Sequence, residues 1–239
     1  PSRFAAPCAG ALVVVALAAS CNPPPLAIPA GCSPLLFDHD CGLPYPNDFF
    51  LVDDASLPSG HRVHFAEAAK LLTDHGASAD VTDAWAPDGF SRVTPIVWTM
   101  GVRVDPQSLP RVVDDPAKTT RFSAALHTAL IDASTGELVP HFVDVDPFAD
   151  KDARQALVMH PLEALKEKTR YVVVVTGVTT EAGKPIDAPI AFARVRDNTT
   201  GGDAVLDPLR VRYERDVFPV VAKAGFARDA LQLAWDFTT

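Results

Sequence analysis

From residue 89 onward, short apolar runs alternate with turn-forming clusters at intervals of about ten residues, which predicts an all-β domain of short strands. Ile96–Val104 reads as the first strand, closed by Asp105-Pro106-Gln107-Ser108. Leu126–Ala133 is the second, and Ser134-Thr135-Gly136 folds it as a hairpin into Leu138–Val145. Ala156–His160 follows. Tyr171–Val175 is an unbroken apolar run, the pattern of a strand buried on both faces. At the C-terminus Leu231, Leu233, Trp235 and Phe237 alternate with Gln232, Ala234, Asp236 and Thr238, which predicts a strand with one buried face, paired beside Tyr171–Val175. One helical stretch interrupts the strands at about 204–225, with Asp207 as its N-cap and Pro208 at its first position. Pro219 must split or kink it, and Gly225 ends it. In Leu165–Tyr171 the tyrosine stands where a strand-start Tyr bonds back to upstream backbone, a sandwich corner.

The first 88 residues follow a different pattern. Residues 33–65 carry two apolar patches, Leu35-Leu36-Phe37 and Phe49-Phe50-Leu51-Val52, around a Pro-Asn-Asp turn region, and read as extended chain pinned on a core. Ala66–Leu72 predicts one or two helical turns, and Asp74–Asp88 a polar loop anchored by Trp85. Residues 1–20 combine Arg3, an apolar run from Ala5 to Ala19 and small residues before Cys21, the form of a secretion signal too short to span a bilayer. Ending on Cys21, the segment resembles the lipobox of bacterial lipoproteins, with lipid on Cys21 and Asn22-Pro23-Pro24-Pro25 as a tether. The expected organisation is a signal over 1–20, a tether and extended segment over 21–88, and the β domain over 89–239.

Composition sharpens this picture. The chain has 239 residues, 48% hydrophobic and 21% charged, so it can bury a substantial core and is neither disordered nor a multi-span membrane protein. A net charge of −9 excludes a basic nucleic-acid-binding face. The acids are 24 Asp to 6 Glu and there are 22 prolines, a bias toward turns, caps and strand ends.

Candidate chemistry is sparse. With Cys8 in the signal and Cys21 lipidated, Cys32 and Cys41 remain, and a disulfide between them would hold an irregular segment together. His39 lies between the two, but no zinc-ligand spacing is present. G-x-S-x-G, G-x-x-x-x-G-K-[ST], G-x-G-x-x-G and H-E-x-x-H are all missing, so neither a cofactor nor an activated nucleophile is signalled; a Ser-His-Asp set built by geometry alone stays open. His61 and His64 fall on opposite faces of an extended strand. Asp144, Asp146, Asp150 and Asp152 form the densest acidic cluster and offer hard oxygen ligands for Ca²⁺, although the glycine and closing glutamate of an EF-hand loop are absent and a solvated turn is the plainer reading. Asn198-Thr199-Thr200 fits a glycosylation acceptor, a match without meaning in a bacterial lipoprotein.

Leu36-Phe37-Asp38 through Leu43-Pro44-Tyr45-Pro46-Asn47-Asp48-Phe49-Phe50 resembles the opening of the N-terminal domain of bacterial extracellular lipases of the virulence-factor type. Thr94-Pro95-Ile96, Val104–Leu109, Pro161-Leu162, Thr169–Val174 and Ala182–Pro185 resemble an S-layer-type bacterial Ig-like module, and Leu233–Thr239 looks like the strand that closes both. His39-Asp40-Cys41 departs from the family pattern. The resemblance implies an Ig-like β-sandwich with an inserted helix near the C-terminus and an irregular N-terminal segment. It implies a non-catalytic accessory domain of an exported hydrolase, held at the outer membrane or cell surface by its lipid anchor, with a hydrolase domain following Thr239. The alternatives are a stand-alone surface lipoprotein that binds a protein or glycan, and an enzyme in its own right.

Overall fold

A computed structural model describes residues 23–71, 75–77, 82–110 and 127–239. The expected signal and Cys21 lie outside the described residues, as does the start of the second expected strand. The chain is mainly β, with eight strands among the described residues arranged as three antiparallel sheets. β1 (Leu51–Asp53) pairs with β2 (His61–Val63). β3 (Ile96–Trp98), β5 (His141–Val145) and β6 (Leu157–Pro161) form a sheet with β6 in the middle. β4 (Thr128–Asp132), β7 (Arg170–Thr176) and β8 (Leu231–Thr238) form the other, with β7 in the middle. Helices are α1 (Thr82–Trp85), α2 (Ile190–Arg196), α3 (Leu206–Asp216) and α4 (Phe218–Lys223).

Residues opposite one another in a ladder share a face. In the β4–β7–β8 sheet, Leu130, Val173 and Trp235 form one such row and Asp132, Tyr171 and Phe237 the next. This face meets the β3–β6–β5 sheet, where the Trp235 ring lies 5.8 Å from Trp98; within the face Tyr171 stacks on its ladder partner Phe237 at 5.7 Å. The opposite face, with Ile131, Val172, Ala234 and Asp236, is covered by the α3–α4 pair. Tyr213 on α3 donates to the Ala234 carbonyl at 3.1 Å.

The terminal strand therefore departs from its expected single buried face. Gln232, Ala234 and Asp236 are buried as fully as the apolar residues between them. Period-two alternation reports polarity, and here Arg212 from the helix layer and Arg170 from β7 accommodate the polar side. β7, by contrast, is buried on both faces as its apolar run predicts.

The helical stretch splits where Pro219 requires: α3 ends at Asp216, α4 begins at Phe218, and Gly225 at φ +89° closes it. Its start differs from expectation. Asp203, not Asp207, accepts the N–H groups of Val205 and Leu206 at 3.0 Å each, so the helix begins before Asp207. α2 was not anticipated; seven residues hold too few turns for a periodic signal. The hairpin at Ser134-Thr135-Gly136 forms, but it persists only to the Val139 N–H on the Leu130 carbonyl. Beyond Pro140 the chain leaves for the other sheet as β5. Trp85 does not anchor its loop: α1 buries Thr82 and leaves the indole 78% exposed.

The N-terminal segment packs into the same core. Leu35, Leu36 and Phe50 are buried, and Cys32 and Cys41 are joined as a disulfide. Tyr45 bridges Val97 of β3 by two backbone hydrogen bonds, of 2.8 and 2.6 Å, and the Trp235 indole N–H donates to the Pro46 carbonyl at 2.8 Å. Two outcomes follow. Trp235→Ala should lower unfolding free energy by about 3–5 kcal/mol in urea titrations, because it opens a cavity and leaves a carbonyl unpaired; a loss under about 1 kcal/mol would contradict this packing. Thiol titration of the denatured, non-reduced chain should find Cys32 and Cys41 unreactive, and replacing both by Ser should cost about 2–3 kcal/mol.

Candidate functional site

Perturbed titratable groups facing a cleft are the physical mark of a site. A cleft of about 1090 Å³ among the described residues forms where Asp48 of the 3-10 turn Asp48–Phe50, the β1–β2 hairpin, the end of β8 and Arg212 of α3 converge. Asn47 starts that turn: its side chain accepts the Phe49 N–H at 2.9 Å, which fixes Asp48 toward β8. Both Asp48 carboxylate oxygens are used, one accepting the Thr238 N–H at 2.7 Å and the other its hydroxyl at 2.8 Å. Behind it lies Asp236, fully buried and paired with Arg212 at 2.8 Å and Arg170 at 3.2 Å. Desolvation, reinforced by the nearby Asp236 charge, raises the Asp48 carboxyl to about 6; Arg212 and the Thr238 hydrogen bonds only partly oppose this.

A carboxyl in that range suits general acid–base work. The hydroxyl it touches is that of Thr238, which donates to it at 2.8 Å. The cleft's serines serve the backbone: Ser59 donates to the His61 carbonyl and Ser91 accepts from the Val93 N–H. His61 lies on the exposed hairpin, 3.2 Å from Asp53. Asp48 is thus a cross-link between the N-terminal segment and β8.

A second pair was not legible in the sequence. Thr128 Oγ1 lies 3.0 Å from His141 Nε2, and His141 Nδ1 donates to the Val139 carbonyl at 2.9 Å. This is the hydroxyl–imidazole half of a nucleophile–base arrangement. Its third position is a carbonyl rather than a carboxylate, and both residues are buried. Burial pushes His141 down to about 4, so the ring is neutral and ties β4 to β5 across the two sheets. Only the register switch at Pro140 brings these residues together, and sequence spacing carries no trace of that.

The acidic cluster does not assemble as a calcium site. Asp152 is paired with Arg103 at 2.8 Å, Asp144 lies 3.5 Å from His160, Asp146 accepts the Phe148 N–H, and Asp150 is exposed. The strand end at Val145, the turn at 147–148 and the 3-10 turn that starts at Asp152 send these side chains to separate partners. Among the described residues no group of three His, Cys, Asp or Glu side chains converges as a metal site, and His61, His64 and His39 join none. Nor is any helix among the described residues long and apolar enough to cross a membrane. Tyr171 does make the corner bond, its hydroxyl accepting the Lys166 N–H at 2.8 Å. No protein-family model, curated protein or solved structure matches the chain.

Asp48 and His141 act in opposite directions on stability. The folded Asp48 holds its proton up to about 6 against an ordinary 3.8, so its contribution is present below about 4 and is lost as pH rises through 6. The folded His141 resists protonation down to about 4 against an ordinary 6.5, so its contribution is present above 6.5 and is lost as pH falls toward 4. Between pH 4 and 6.5 the two oppose each other, and the native chain should vary little in urea midpoint. Asp48→Asn should become acid-labile across that window by on the order of 1 kcal/mol or more, whereas His141→Gln should gain on acidification. Parallel pH profiles for all three proteins would refute the assignment.

Proposed function

We propose that the chain is a non-catalytic Ig-like accessory module of an exported, membrane-tethered lipase-like hydrolase. The observation that carries this reading is the meeting of the two motifs that resemble that family. Pro46 and Asp48 of the opening motif receive the Trp235 indole N–H and the Thr238 hydroxyl of the closing strand, 189 and 190 residues away in sequence. These contacts join the opening and closing motifs, which supports reading them as a structural joint. Two three-stranded antiparallel sheets in contact through Trp98 and Trp235, and the Tyr171 corner, support an Ig-like sandwich as its architecture. Lipid on Cys21 would hold the module at the outer membrane or cell surface through its proline-rich tether.

Two measurements test the reading. The purified chain should hydrolyse p-nitrophenyl esters no faster than buffer; turnover abolished by a single Ser→Ala or by Thr128→Ala would make it an enzyme. Metabolic palmitate labelling in a bacterial host should be lost in Cys21→Ser, and equal labelling of that variant would remove the tether.

A further inference from the structure

A second cavity, of about 340 Å³, lies on the outer side of β3. Leu43, Tyr45, Phe65, Ala69, Leu71 and Val97 supply its apolar lining. Val97 faces away from the core: its neighbours Ile96 and Trp98 are fully buried, and it alone of the three is not. The aromatic wall is set in place. Tyr45 is bridged to Val97 through the backbone, its ring lies 6.3 Å from Phe65, and Phe65 in turn lies 4.7 Å from Phe50. Leu71 is 74% exposed. The volume is roughly twice the ~150 Å³ of an apolar cavity that takes up benzene, and falls within the ~300–1,000 Å³ of ligand pockets.

We propose that this cavity is a binding site for one small, neutral, apolar molecule, of the size of a fused or linked pair of aromatic rings or an alkyl chain of about eight to ten carbons. The neutrality follows from the charged residues that line it. Asp40 and Lys70 carry opposite signs. Asp40 already accepts the Gly42 N–H at 2.8 Å, and Lys70 lies 3.5 Å from Glu67. A ligand carboxylate or ammonium would lose its hydration without gaining a net countercharge. Two adjacent aromatic rings favour a ligand with its own π-face. The site goes beyond the accessory-module reading and does not depend on it.

Fluorescence titration of the chain with N-phenyl-1-naphthylamine, a neutral apolar probe, tests this. One saturable site per chain is expected. Val97→Trp fills the cavity from the sheet side without touching the core, and should weaken binding at least about tenfold at an unchanged urea midpoint. Ala69→Leu fills it from the other side and provides the same readout should the tryptophan variant not fold. 1-Octanol should displace the probe, with octanoate and octylamine about tenfold weaker. A non-saturating signal, or parental affinity in the filled variants, overturns the site. Equal displacement by all three competitors overturns its neutrality.

Discussion

A carboxylate in the middle of a strand buried on both faces dictates what must lie beside it. Asp236 is fully buried, and removing a charge from water is affordable only when it is paired and hydrogen-bonded. Its partners come from two directions: Arg170 from the neighbouring strand β7, and Arg212 from α3. Arg212 can reach it only if α3 lies across the sheet, and there Tyr213, next in sequence, bonds the Ala234 carbonyl. Ala234 is small and Asp236 short, which leaves room for the helix to approach. Arg170 also donates to the Asp216 carbonyl at the end of α3, so one guanidinium ties sheet and helix together. The helix layer is thus required by the polar face of β8, much as the second sheet is required by Trp235 and Phe237 on the other.

The same charge reaches the N-terminal segment. Asp48 sits near enough to Asp236 for the two carboxylates to repel, with Arg212 attracting both. Direct hydrogen bonds to Thr238, not charge alone, hold Asp48 in place. The polar groups of this cleft form a seam in which Asp48 bonds Thr238 and Asp236 pairs with Arg212 and Arg170. Its perturbed carboxyl arises from burial in that seam. Structural ion-pair networks shift pKa values by the same physics as active sites do.

Much of this was legible in the sequence. β7 followed from an apolar run, β8 from alternation, the helix break from Pro219, the corner from Tyr171, and the disulfide from two leftover cysteines. Each rests on a local rule. What escaped the sequence depended on distant partners. The second buried face of β8 needs α3; the departure of β5 to another sheet turns on Pro140; Trp85 reads as an anchor because aromatic residues usually bury, and nothing local says that this ring faces solvent. Asp207 looks like a helix cap, but Asp203 takes that role while also accepting the Leu26 N–H from the N-terminal segment. The Thr128–His141 pair and the apolar cavity are likewise products of tertiary register.

β8, its helix cover and the N-terminal segment form one cooperative unit. Native-state hydrogen exchange measures this directly. The amides of Tyr45, Phe90, Val173 and Trp235 should exchange with one common opening free energy, equal to that of global unfolding, and Arg212→Met should lower all four together. Exchange of Tyr45 and Phe90 at a distinctly lower free energy, with Val173 and Trp235 unchanged by that substitution, would contradict it.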